Sequence, residues 1–177
     1  MIKRTLLLIL LTAAFAAAQS HTSVKVTAYP IANVTVPQGG KAKLEMMFRV
    51  MPGFHINSNK PSSELYIPTV VRLDVPTDVS VAGLEYPEGQ MMGFPFDPDT
   101  KLSVYTGDIA VKGLVIAAKS TPRGTYRVHG NLRYQACDNR ACYPPVSLPI
   151  AFDVTVAKPA VSKTTRPNPA QSPHIHN

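Results

Sequence analysis

Residues Thr125–Val156 read TYRVHGNLRYQACDNRACYPPVSLPIAFDVTV. Thr125–Ala136 alternates. Tyr126, Val128, Leu132, Tyr134 and Ala136 share one parity, and Arg127, His129, Asn131, Arg133 and Gln135 take the other. Leu148–Val156 alternates as well, with Leu148, Ile150, Phe152, Val154 and Val156 on one face. A period of two with one apolar face is the pattern of a half-buried strand. Between the two runs lie the turn formers Asp138-Asn139-Arg140, then Pro144-Pro145, which cannot donate to a ladder. The stretch predicts a β-hairpin. The chain's 2 cysteines, Cys137 and Cys142, fall at its tip, close enough to pair with each other.

The rest of the chain follows the same pattern. Lys41–Val50 alternates, with Ala42, Leu44, Met46, Phe48 and Val50 predicted inward and Lys41, Lys43, Glu45 and Arg49 outward. Further strands are predicted at Val24–Ala28, Ala32–Val36, Phe54–Asn57, Tyr66–Val75, Asp78–Leu84, Lys101–Tyr105 and Ile109–Ala117. Tyr86–Asp99, with Pro87, Gly89, Gly93, Pro95 and Pro98, reads as a long loop. No segment of useful length carries a 3.6-residue apolar period, and 17 prolines argue against long helices. Short strands punctuated by turn signals predict an all-β fold, a β-sandwich.

The first residues read as a targeting segment. Lys3 and Arg4 precede the mostly apolar Thr5–Phe15, and Ala16-Ala17-Ala18 is an A-x-A cleavage site. The apolar run is too short for a membrane span, and no cysteine follows it to carry a lipid anchor. The expectation is a signal peptide over 1–18 and a secreted protein starting near Gln19, without stable membrane insertion. In a bacterium that is the periplasm, where disulfides persist. Loss of Lys3 and Arg4 from the 18 basic residues leaves 16 against 11 acidic ones, so the net charge falls from +7 to +5. No Lys/Arg block resembles a nucleic-acid footprint. From Ala157 onward Pro, Ser, Thr, Asn and Gln dominate, so 158–177 reads as a disordered, proline-rich tail.

What remains is one domain, long enough for a core without covalent staples. Closing a loop as short as Cys137–Cys142 removes little chain entropy. The pair is a poor stabiliser and a better candidate for chemistry. From two cysteines alone, a redox pair and an inert structural disulfide stand equally. Zinc is disfavoured, since two sulfurs need two more ligands and no Cys/His spacing supplies them.

The residues also resemble a known family. Tyr134-Gln135-Ala136-Cys137, four residues, then Cys142-Tyr143-Pro144-Pro145 is similar to the reactive hairpin of the N-terminal domain of the thiol:disulfide interchange protein DsbD. Pro52-Gly53-Phe54-His55-Ile56-Asn57-Ser58, Tyr86-Pro87-Glu88-Gly89 and Val104-Tyr105-Thr106-Gly107-Asp108 extend the resemblance over roughly Ser23–Val156. Best-known members place five residues between the cysteines rather than four, and continue into membrane spans and a thioredoxin domain. Any membrane partner is therefore expected to be a separate polypeptide. The resemblance implies an immunoglobulin-like domain over 19–157. It also implies a redox-active cysteine pair, with Cys142 attacking and Cys137 resolving, and a cap loop, by position Tyr86–Asp99, whose Phe94 or Phe96 shields the pair. The implied donor is a thioredoxin-like domain or membrane electron transporter. The implied acceptor is a periplasmic oxidoreductase or thiol protein. Sulfur carries both electrons, so no cofactor is expected.

Around the pair, each residue has a second reading. Arg140 as a nearby cation would favour a thiolate and Asp138 as an anion would oppose one, or both are solvated turn residues. Tyr134 has core parity, and Tyr143 either packs beside the sulfurs or does not. Phe94 and Phe96 are a lid or a plug of the sandwich. His55 is a proton donor or acceptor near the thiols, or a structural histidine. Met46, Met47, Met51, Met91 and Met92 raise a Cu(I) alternative, though methionine is also a common core filler. The expectation is a thiol–disulfide exchange protein. The alternatives are a sandwich binding module with a structural disulfide, and a periplasmic copper-binding protein.

Overall fold

The computed structural model describes residues 24–159. The expected signal peptide over 1–18 and all but the first two residues of the expected tail over 158–177 lie outside them. Among the described residues there are twelve strands and no helix: β1 (Val26–Ala28), β2 (Val34–Pro37), β3 (Lys41–Val50), β4 (His55–Asn57), β5 (Val70–Asp74), β6 (Val79–Glu85), β7 (Gln90–Phe94), β8 (Asp97–Tyr105), β9 (Asp108–Ala117), β10 (Gly124–Tyr134), β11 (Ala136–Cys137) and β12 (Val146–Ala157). They form three four-stranded sheets, ordered β1-β3-β9-β6, β2-β12-β10-β5 and β11-β4-β8-β7.

The first two sheets make an immunoglobulin-like sandwich. Alternation is its cause. β3 buries Leu44, Met46, Phe48 and Val50 while Lys41, Lys43, Glu45 and Arg49 point to water. β9 contributes Ile109, Val111 and Val115. From the opposite sheet come Val128, Leu132, Ile150, Phe152 and Val154, and all belong to one continuous core. The predicted hairpin is present: β10 and β12 pair antiparallel from Gly124 opposite Val156 to Tyr134 opposite Val146. β2 adds to β12 in parallel.

The third sheet covers one end of the sandwich and has its own small cluster of Phe94, Leu102 and Val104, against which Tyr66 and Phe96 pack. Here the structure departs from the sequence reading. Tyr86–Asp99 is not a loop but largely a β-hairpin, with β7 paired to β8 from Gln90 opposite Val104 to Phe94 opposite Asp97. The prolines that suggested a loop are accommodated at its end. The register shifts between Gly93 and Phe94, so Pro98 falls in the skipped stretch where no ladder donor is required. The base of this hairpin is fastened. The Tyr105 hydroxyl lies 2.6 Å from Asn59 Oδ1 and 2.9 Å from the Pro87 carbonyl. A Cβ on Gly89 would come within 2.2 Å of Ser103 Oγ, so only glycine allows that approach.

The predicted strand Tyr66–Val75 is also shorter, beginning at Val70. The preceding residues are held by side chains instead of a ladder. Ile67 donates its N–H to Gln135 Oε1 and accepts at its carbonyl from Asn57 Nδ2.

Phe48 is fully buried on the inward face of β3. Phe48→Ala should cost about 3–5 kcal/mol, read as a lowered midpoint in urea unfolding with the slope unchanged. A loss well under 1 kcal/mol would mean the site collapses around the smaller residue.

Candidate functional site: a cystine at the sandwich end

The β10–β12 ladder stops at Tyr134, and Gln135–Pro145 projects beyond it. One residue later the chain joins another sheet: Ala136 pairs with Ile56 and Cys137 with His55 on β4. The tip then closes on itself. Cys137 and Cys142 form a disulfide with Cα atoms 3.9 Å apart, and the Tyr143 N–H donates to the Ala136 carbonyl at 2.8 Å.

Asp138 builds the turn between the cysteines. Its N–H donates to the Ala141 carbonyl at 3.0 Å. Its Oδ1 accepts from the N–H groups of Arg140 (2.7 Å) and Ala141 (2.9 Å), and its Oδ2 accepts from the Tyr143 hydroxyl at 2.7 Å. The Tyr143 bond first, and then the two backbone N–H groups, stabilise the carboxylate and hold its pKa down at about 2. Arg140 is exposed at the tip, and its charge acts on Asp138 and Tyr143.

The two cysteines differ in access. Cys137 is 0 % exposed, whereas Cys142 is only partly covered. Beside Cys142, Tyr143 meets Phe54 edge-to-face with ring centroids 6.0 Å apart, and Lys25 Nζ stands 4.1 Å above the Tyr143 ring. Tyr134 is buried in the sandwich core, which raises its phenol pKa.

His55 faces Cys137 across the ladder and is 3 % exposed. Its Nε2 is buried with no hydrogen-bond partner. Burial lowers its pKa, and the Asp138 charge opposes that shift without overcoming it. Phe94, at the end of β7, stacks on the imidazole at 3.9 Å with planes 14° apart. Phe96 stacks in turn on Phe94 at 5.4 Å. The aromatic pair of the β7–β8 hairpin thus rests on the histidine opposite Cys137. Phe54, His55, Met92, Phe94 and Asn139 line part of a cleft of about 400 Å³ alongside the tip.

Three contributors were not visible in the sequence. Gln135, assigned to the outward face, clamps the site. Its Oε1 accepts from Asn57 and its Nε2 donates to the Tyr143 carbonyl at 3.2 Å. Phe54 and Lys25 approach from elements remote in the chain. No group of three or more His, Cys, Asp or Glu side chains among the described residues could hold a metal. Of the methionines, Met46 is core and Met91 and Met92 are exposed on β7.

A β-sandwich carrying a one-turn cystine at its end, one sulfur's residue buried and the other reachable, belongs to the class of thiol–disulfide proteins. The family model described as "Thiol:disulfide interchange protein DsbD, N-terminal" matches residues 23–153. The chain belongs to that family, and its role is thiol–disulfide interchange. Among solved structures it is similar to the reduced N-terminal domain of DsbD from Neisseria meningitidis, at 21 % identity over 71 % of this chain and 83 % of that one, with a TM-score of 0.40. It is also similar to a chain from the Neisseria meningitidis complex between the DsbD and PilB N-terminal domains (20 %, 71 % and 80 %, 0.40). A third likeness is to the N-terminal periplasmic domain of ScsB from Proteus mirabilis (15 %, 77 % and 47 %, 0.44). Comparison with curated proteins finds no match. Among the described residues, no helix is long and apolar enough to cross a membrane.

Tyr143→Phe removes the largest contributor to the low Asp138 pKa. In an NMR titration of that carboxyl, the midpoint should rise from about 2 toward the usual carboxylate range. The sign for stability follows. A depressed folded-state pKa contributes stability above the unfolded value, and that contribution is lost as pH falls through about 2. The variant should therefore lose less stability than the parent between pH 4 and pH 2. An unmoved midpoint would show that the two N–H groups suffice.

Proposed function

We propose that this chain, with a signal peptide over 1–18 and a folded domain over 19–157, is a periplasmic carrier of reducing equivalents. Its dithiol is charged by a thioredoxin-like domain or membrane electron transporter, and it reduces a periplasmic oxidoreductase or another thiol protein. The observation that carries this reading is the unequal exposure of the two cysteines within one short turn. Cys142 is partly exposed, which in this scheme admits a partner's sulfur, while Cys137 stays covered.

Exchange needs an accessible thiolate to attack and a second thiol to resolve the mixed disulfide. The reduced protein begins with the Cys142 thiolate. It attacks one sulfur of the partner's disulfide, and the other partner sulfur leaves as a thiolate. Cys137 loses its proton and attacks Cys142 Sγ, expelling the partner's first sulfur with its electron pair. The carrier ends as the cystine and the partner as a dithiol, two electrons having moved. Membership of the family supports the reaction class. The roles of the two cysteines rest on their exposure. The cap hairpin with Phe94 and Phe96 serves in this scheme as the shield of the buried side, acting through the stack on His55.

Two measurements test the scheme. Cys137→Ser should accumulate a covalent adduct with a disulfide-containing partner through Cys142, visible by mass spectrometry without reductant, and Cys142→Ser should form none. The reduction potential should lie above the roughly −300 mV typical of structural disulfides. A potential well below that, with no adduct trapped, would replace the carrier with a module held by an inert bridge.

A further inference from the structure

The resolving half of the reaction poses a problem that the fold itself answers. Cys137 must be a thiolate to attack, yet it is fully buried. Burial in apolar surroundings raises a thiol's pKa, and the Asp138 carboxylate next in the chain opposes a second negative charge. Near neutral pH the Cys137 thiol therefore holds its proton unless a base takes it.

One buried side chain is placed to do so. His55 is the direct ladder partner of Cys137. Residues directly opposite in an antiparallel pair share a face with Cβ atoms about 5 Å apart. Both residues are buried. A buried polar atom without a partner is uncommon and calls for an explanation, and His55 Nε2 is such an atom. The imidazole is fixed against the strand by the Phe94 ring 3.9 Å away. We propose that His55 Nε2 accepts the Cys137 thiol proton during resolution of the mixed disulfide, so that its unpaired state is that of a base waiting for a thiol. The proposal rests on the carrier reading and deepens it.

The step balances. The S–H proton of Cys137 passes to Nε2, and the sulfur lone pair forms the bond to Cys142 Sγ. The bond from Cys142 to the partner breaks, and its electron pair leaves on the partner's sulfur. The imidazolium then returns its proton to solvent. The groups that face His55 are consistent with this. Cys137 lies opposite on β11, the uncharged Phe94 and Phe96 stack from the cap hairpin, and Asp138 acts from the tip. Arg49, on the rim of the same cleft, is already paired with Asp108 at 2.9 Å. Burial outweighs the Asp138 charge and keeps the imidazole neutral at neutral pH, as a base requires.

The test separates the two half-reactions. Reduced protein is mixed with excess 5,5′-dithiobis(2-nitrobenzoic acid), and thionitrobenzoate release is followed by stopped flow across pH. The first release reports attack by Cys142 and the second reports resolution by Cys137. His55→Phe keeps an aromatic ring for the stack, and His55→Asn keeps polarity without a base. In both, the first phase should be unchanged while the second slows about a hundredfold at pH 7. The pH profile of the second phase should move from an imidazole-like midpoint below about 6.5 up to thiol ionisation above about 8.5. A second phase with unaltered rate and profile in either folded variant overturns the proposal and leaves the carrier reading intact. Absence of any release from the parent protein overturns both. Should neither variant fold, the parent decides by NMR. The ¹⁵N shift of His55 Nε2 should change on reduction, as the new Cys137 S–H finds an acceptor, and identical shifts in the two redox forms overturn the proposal.

Discussion

A two-residue ladder organises this site. At Gln135 the chain leaves the long β10–β12 hairpin and pairs Ala136 and Cys137 with β4. That switch carries the hairpin tip from the sandwich onto the third sheet. It buries Cys137 and leaves Cys142 on the outer arm of the turn. It also sets His55, on which Phe94 of the β7–β8 hairpin stacks, opposite the buried cysteine. Were the tip simply to continue the sandwich ladder, the cysteines would project beyond the sheet edge and share one environment. Gln135 secures the switch by bonding to Asn57 on one side and to the Tyr143 carbonyl on the other.

Charged groups of both signs fix the turn that carries the cystine. The Asp138 carboxylate stands next to Cys137 and is engaged by the turn and by Tyr143. On the other arm, Lys25 lies over the ring of Tyr143, the residue after Cys142. The carboxylate's own bonds reach the Ala141 N–H and the Tyr143 hydroxyl, on the two sides of Cys142, so the anion ties the two arms of the turn together.

Strands with one wet and one buried face were legible. β3 appears with the bounds and parity that alternation predicts, and β9, β10 and β12 differ from prediction by a residue or two at their ends. β7 was not legible, because four of its five residues are exposed and no apolar period marks it. Its pairing with β8 is made by backbone groups that the sequence does not display. β5 was read too long because Tyr66 and Ile67 look strand-like, yet side chains from Asn57 and Gln135 hold that segment instead. Within the site, the cysteines, the turn formers and the aromatics Phe94 and Phe96 stood out. Gln135 and Lys25 did not, since a glutamine on an outward face and a lone lysine near the start of a strand are ordinary.

By itself the sequence determined the all-β class, the inward residues of the main strands and a four-residue turn that brings two thiols within bonding reach. These follow from local chemistry: side-chain period, proline and glycine placement, and the short tether between the cysteines. Only the tertiary structure decided which cysteine is buried and that His55 lies opposite it under Phe94. Those relations depend on ladders between segments remote in the chain, β4 with β11 and β7 with β8, whose register is set by packing at the sandwich end rather than by any pattern within either segment.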